Sequence, residues 1–248
     1  MNRQLTGTTK ALNELTRSPR APSCAGEPRF PSEIRRAGSS FQCVMLAGMT
    51  GIDKFAEGLA ALPRSEFTRD NVLSYLRSTP VDIRSMEPYV YFSPERYTRN
   101  LILKTPLFEL IAICWESGQK SAVHNHCDQR CWMAIAYGKV RVHNFRLLSR
   151  DPATGSCELE PSTDFMIEAG KPQEVDPEEP IHQVINPGSF NSRAVTLHVY
   201  STPYETCEVY DLQAKCHSVV KLVNTTEYGV VKSNLKLEKA SLRNLVTT

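Results

Sequence analysis

A mainly β fold, a small barrel or sandwich behind a pair of short helices, is what this sequence predicts, and three observations carry that expectation. From Tyr89 onward the chain falls into short runs rich in Val, Ile, Tyr and Phe, divided by Pro, Gly, Asp and Ser clusters. Many short strands at near-regular spacing are the mark of a barrel or sandwich. AVTLHVYS (194–201) alternates cleanly, with Val195, Leu197 and Val199 on one face and Thr196, His198 and Tyr200 on the other. Such a strand turns its first set into the packed wall and its second toward a lumen where a ligand could sit. Ahead of this texture, IDKFAEGLAAL (52–62) and RDNVLSYLRS (69–78) repeat apolar residues at helical spacing.

In chain order, residues 1–45 are rich in Arg, Ser, Thr and Pro and show no sustained apolar period, so they are expected to be disordered or a leader. A mitochondrial-type leader would be Arg-rich and acid-poor, and Glu14 counts against it. Residues 46–248 are expected to form the folded domain, with helices over 50–85 and the barrel over about 89–228. Ile52, Phe55, Leu59 and Leu62 share one helix face, and Val72, Tyr75 and Leu76 share the next. The strand runs are RNLILKT, LFELIAICW, CWMAIAYGKVRVHNFRL, HQVINP, RAVTLHVYS and HSVVKLV.

Composition narrows the partner. With 29 Lys and Arg against 27 Asp and Glu, and the basic residues scattered, no global field favours nucleic acid or a membrane surface, so a small molecule is expected. No segment reaches the roughly 18 apolar residues of a membrane span, and the first stretch lacks a secretory apolar core, which points to the cytoplasm. In a reducing compartment the eight cysteines are expected to be buried thiols, metal ligands or reactive groups rather than disulfides. Asn224-Thr225-Thr226 reads as an incidental glycosylation sequon, and Asp176, Glu178 and Glu179 as solvated carboxylates on a Pro-flanked turn.

The chemistry concentrates in SAVHNHCDQRC (121–131). His124 and His126, one residue apart in a strand-like context, leave the same face and can converge on one ion. With Cys127 they could mimic a zinc clip, although the Cys-x-x-Cys spacing is absent, and a disulfide between Cys127 and Cys131 is expected still less in a reducing compartment. The surroundings add more. Gly118, His124, His126, Cys131 and Gly138 are spaced as in the first cupin motif, with cysteine where most cupins carry a glutamate ligand. Pro177, His182 and Asn186 resemble the second motif, although Glu179 stands at its inner glycine and puts the turn geometry in question.

These motifs, with ERYTRN (95–100), CWESG (114–118), IHQVINP (181–187) and LHVYSTPYETC (197–207), resemble cysteine dioxygenases, mononuclear non-haem iron members of the cupin superfamily. The resemblance runs from about Glu95 to Tyr228 and implies a cupin-type jelly-roll barrel that works as a monomer. It implies one Fe(II) on His124, His126 and His182, and conversion of L-cysteine and O2 to cysteine sulfinic acid in cysteine catabolism toward taurine and sulfate. Arg99 matches the arginine that receives the substrate carboxylate, with Tyr97 as a phenolic helper beside it. Related thiol dioxygenases that prefer 3-mercaptopropionate carry glutamine there. Tyr200 and Cys131 match the pair joined by a thioether in animal-type enzymes, and His198 would hydrogen-bond the phenol with Thr196 standing where serine is common. Cys207 matches a cysteine near the pocket entrance, whereas Cys127, Cys114, Trp115, His143 and His217 are expected to be bystander or structural residues. The rivals are a dioxygenase of another small thiol and a non-catalytic metal-binding cupin.

Overall fold

A computed structural model describes residues 48–175 and 177–239. The expected leader over 1–45 and the carboxylate Asp176 lie outside the described residues. Helix α1 (Ile52–Ala60) and helix α2 (Arg69–Ser78) fall where the apolar spacing puts them. They are followed by a 3-10 segment over Ile83–Tyr89. Fifteen strands follow among the described residues: β1 (Tyr91–Phe92), β2 (Thr98–Lys104), β3 (Phe108–Trp115), β4 (Val123–His124) and β5 (Cys131–Tyr137) come first. Next come β6 (Val140–Asp151), β7 (Ser156–Ile167), β8 (Gln173–Glu174), β9 (Ile181–Ile185) and β10 (Ala194–Ser201). The last are β11 (Thr206–Asp211), β12 (Cys216–Lys221), β13 (Thr226–Glu227), β14 (Val230–Val231) and β15 (Glu238–Lys239).

One sheet runs in the order β14-β13-β2-β3-β10-β5-β8, and β11-β12-β7-β6-β9-β4 close into a barrel. This is the mainly β, cupin-type small barrel with N-terminal helices that the sequence predicts. The alternation of β10 is used as expected: Val195, Leu197 and Val199 pack with Leu110, Ala112, Cys114 and Trp132 against Ile52, Phe55, Leu59, Val72 and Leu76 of the helices. Each such side chain contributes about 1.5–3 kcal/mol when fully buried, which anchors two helices too short to persist alone. The opposite faces of β3, β5 and β10 meet β6, β7 and β9 through Ile111, Ile113, Trp115, Met133, Val142, Ile167 and Val184. The functional side chains gather on this inner side.

Three local readings change. Strand β7 and strand β11 are absent from the sequence-based runs, and the chain adds β14 and β15 beyond 228, with β15 pairing β1. The strand holding His124 ends there, so His126 stands beyond it and is followed by Cys127 (φ 49°) and Asp128 (φ 66°) in left-handed conformations. Glu179 does not require a glycine-like backbone, and its carboxylate is half-buried and paired: Arg146 Nη2 donates to it at 3.2 Å, and the Ser162 hydroxyl also bonds it.

Gly138, which ends the first motif, has φ 71°, and a Cβ there would meet the Arg193 carbonyl oxygen at 2.6 Å. Gly138→Ala is therefore expected to cost about 2–4 kcal/mol, strain and clash together. Gly118 has φ 88° with open space around it, and alanine there should cost only about 1 kcal/mol. Urea unfolding of the two variants checks the order.

Candidate metal and substrate site

Strand pairing sets the first two histidines. His124 lies directly opposite His182 across β4 and β9, with ring centroids 4.5 Å apart. His126 comes in from the turn beyond β4, its ring 5.2 Å from that of His124 and 4.8 Å from that of His182. One ligand nitrogen from each of the three lies within 4.8 Å of the others. Neither Cys127 nor Cys131 belongs to this cluster, and all six cysteines among the described residues are free, so neither a zinc clip nor a Cys127–Cys131 disulfide forms.

The donor set suits a metal. His124 Nδ1 faces the Ala122 carbonyl at 3.0 Å and His182 Nδ1 faces that of Pro180 at 3.1 Å. A carbonyl only accepts, so these Nδ1 atoms carry the proton and Nε2 keeps its lone pair for an ion. Burial lowers the His124 pKa to about 4 and that of His182 to about 3. Burial, and then His182, take His126 well below its ordinary range. All three are thus neutral ligands at pH 7.

A stability consequence follows for the metal-free protein. A histidine whose folded pKa is depressed takes up its proton in the unfolded chain first, so the unfolded state gains as pH falls below about 6.5. Stability should be full above that pH and decline toward pH 4, by up to about 1.4 kcal/mol per pH unit for each such histidine. Denaturant titrations at pH 7.5, 5.5 and 4.5 measure it; a flat profile would contradict the buried neutral histidines.

Facing the cluster are Arg99 on β2 and a group of phenols. Arg99 Cζ stands 5.7 Å from the Tyr200 ring centroid, and its Nε is buried without a hydrogen-bond partner. Burial opposes its charge, but Tyr200, Tyr204 and Tyr97 outweigh it and the pKa is raised. Tyr97 stacks on Trp115 with centroids 4.7 Å apart.

Next to this lies a line of hydrogen bonds along β10. Trp115 Nε1 donates to Thr196 Oγ1 at 3.0 Å, Thr196 Oγ1 meets His198 Nε2 at 2.8 Å, and His198 Nδ1 meets the Tyr200 hydroxyl at 3.2 Å. The indole N–H donates to Thr196, whose own proton can go to His198 Nε2 or to the Ile113 carbonyl at 3.4 Å, so the line accommodates either neutral tautomer of His198. Burial and then Arg99 keep His198 neutral, its pKa well below 6.5. Threonine thus holds the serine's place in the relay, and Trp115, expected only to pack, extends it. Cys131 is the direct cross-strand partner of Tyr200, and its Sγ lies 3.9 Å from the same His198 nitrogen. Burial pushes both the Cys131 thiol and the Tyr200 phenol up, so neither is ionised.

The comparisons fit this geometry. The family described as "Cysteine dioxygenase type I" matches residues 42–213. The chain belongs to that family. As a cysteine dioxygenase it is an oxidoreductase of the dioxygenase class. It is 28% identical to cysteine dioxygenase type 1 of Danio rerio over 160 residues, covering 64% of this chain and 76% of that one. It is 25% identical to the Homo sapiens cysteine dioxygenase type 1 over 170 residues, covering 68% and 82%. Among solved structures, a Klebsiella pneumoniae protein with a double-stranded β-helix domain aligns at TM-score 0.37 and 18% identity, over 48% of this chain and 82% of that one.

The fold brings Arg99, Tyr97, Cys131, His198 and Tyr200 together beside the three histidines. Tyr204 is an addition, its ring 5.2 Å from that of Tyr200 and 6.1 Å from that of His126. It stands in a loop, where no periodicity marks it. Cys207 is buried, which pushes its thiol up to about 11. Cys127 Sγ faces Asn125 Oδ1 at 3.8 Å. His143 lies beside Asp164, and His217 on β12 lies behind the site near Glu208. Among the described residues no helix is long and apolar enough to cross a membrane.

Proposed function

We propose that this dioxygenase is iron-dependent and converts L-cysteine and O2 to cysteine sulfinic acid. The observation that carries the reading is a set of three neutral imidazoles, with no carboxylate among them, facing a guanidinium whose Nε has no partner. Iron(II) fits His124, His126 and His182, whose free nitrogens converge; bound there, it would supply O2 activation and favour an anionic thiolate, since neutral ligands leave its charge uncompensated.

The protein's own groups do the rest. Arg99 offers a planar fork, with Nε still to be satisfied, to the cysteine carboxylate, and two charge-assisted bonds would fix that end of the substrate. Tyr97, held by Trp115, borders the same guanidinium. The Tyr200 hydroxyl, held 3.2 Å from His198 Nδ1 and beside Arg99, would act as the phenolic hydrogen-bonding group aimed at the reacting sulfur and oxygen. Fixing that group in advance lowers the ordering needed during reaction. On this reading the partners are L-cysteine and O2, with neither nucleic acid nor membrane, and the enzyme works as a cytoplasmic monomer.

The pairing of Cys131 with Tyr200 supports a thioether formed by loss of two hydrogens, the S–H proton and one ring hydrogen, with O2 as oxidant. Peptide mass spectrometry after turnover with iron and cysteine should find Cys131 and Tyr200 peptides joined and lighter by two hydrogens. Cys131→Ser should abolish the species, and a Cys131 that stays free through turnover would count against an animal-type site.

A further inference from the structure

His126 is the least anchored of the three ligands. His124 and His182 each tie Nδ1 to a carbonyl, whereas the buried Nδ1 of His126 has no hydrogen-bond partner. Its direction must come from the backbone on either side. On one side stands Asn125, and on the other the left-handed Cys127 and Asp128.

Asn125 is clamped by β11 and by the turn that follows His126. Its Oδ1 accepts from the backbone N–H of Cys127 and of Glu208, both at 3.3 Å. Its Nδ2 donates to Glu208 Oε2 at 2.9 Å and lies 3.2 Å from the Tyr210 hydroxyl. Its own N–H donates to the Glu208 carbonyl at 3.2 Å. Two backbone donors at Oδ1 fix which way the amide faces, and the carboxylate at Nδ2 requires the same orientation.

Glu208 is 8% exposed, and apart from His217, 3.9 Å from Oε1, its carboxylate's partners belong to this arrangement. Tyr210 donates to Oε2 at 2.9 Å, Arg150 Nη1 donates to Oε2 at 3.1 Å, and Arg150 Nη2 bonds Oε1. Burial works against its charge, but the bonds from Tyr210, Asn125 and Arg150 prevail and keep it ionised. Arg150 balances that charge, so what reaches the metal cluster through Asn125 is geometry rather than field.

We propose that Glu208, balanced by Arg150, is a positioning residue of the metal centre that acts through Asn125 to hold His126 and the turn after it. This rests on reading the three histidines as a metal site and on nothing about the substrate. Partners that orient ligands from outside are typically worth about 10- to 100-fold in metal affinity.

The test is Co(II) binding, followed by its visible spectrum in competition with a chelator, with folding monitored by circular dichroism. Glu208→Ala and Asn125→Asp should each weaken Co(II) by about 10- to 100-fold. The double variant Asn125→Asp with Glu208→Gln should bind Co(II) several-fold more tightly than the single losses of Asn125→Asp and Glu208→Gln combined predict, because the glutamine amide then donates to the aspartate while its carbonyl keeps Arg150 Nη2; recovery stays partial, since Tyr210 and Arg150 Nη1 lose the oxygen that the amide replaces. A folded Glu208→Ala protein with the parent's Co(II) affinity and spectrum would overturn the proposal. So would a double variant as weak as the two single losses combined, and that comparison decides alone if Glu208→Ala fails to fold. A parent that binds no Co(II) would count against the metal site itself.

Discussion

Alanine at position 182 should leave a folded protein that retains less than about one-tenth of a metal ion per chain and turns over at least about 10³-fold more slowly. The size follows from the ligand count. With His182 gone, two imidazoles remain, one of them the unanchored His126, and three protein ligands are the usual minimum for a resident catalytic ion. The fold should lose far less. His182 contributes one hydrogen bond, to Pro180, so the metal-free variant should lie within about 1–3 kcal/mol of the metal-free parent. Thermal melts with and without added Fe(II) separate the two effects: the parent's melting temperature should rise with metal and that of His182→Ala should not. A variant that still gains stability from Fe(II) would show that His182 is not a ligand.

Glutamine in place of Arg99 is expected to lower kcat/KM for L-cysteine by about 10²–10³-fold, the loss of a bidentate charge-assisted pair in a site where the guanidinium is held by phenols. The fall should be smaller for 3-mercaptopropionate. Equal loss on both substrates would argue that Arg99 holds the pocket together instead of reading the carboxylate. The metal should stay, since β2, which carries Arg99, pairs with β3 and β13 and not with the strands that carry His124 and His182.

Much of this was legible because it follows simple periods. The helix faces and the alternation of β10 leave such patterns, and His124, His126 and His182 stood out through the resemblance to the two cupin motifs. What escaped has physical reasons. Strand β7 buries only two of its twelve residues and contains Pro161, so it lacks apolar alternation; it exists as the hairpin partner of β6, with Pro161 beside a register shift where a missing N–H is tolerated. Strand β11 carries a buried glutamate, which reads as a surface residue until Arg150 and Tyr210 are found around it. His126 was placed on a strand because His-x-His looks like one, yet the chain turns left-handed immediately afterward. Trp115 looked like packing since its ring does pack, and only the position of Thr196 shows that its N–H is used.

The most direct test of the central claim is O2 uptake by the purified protein reconstituted with Fe(II), with the sulfur product identified by mass spectrometry. Consumption of one O2 per L-cysteine, with cysteine sulfinic acid as the product carrying both oxygen atoms, is the expected result. Iron-loaded protein that leaves L-cysteine and O2 untouched would contradict it.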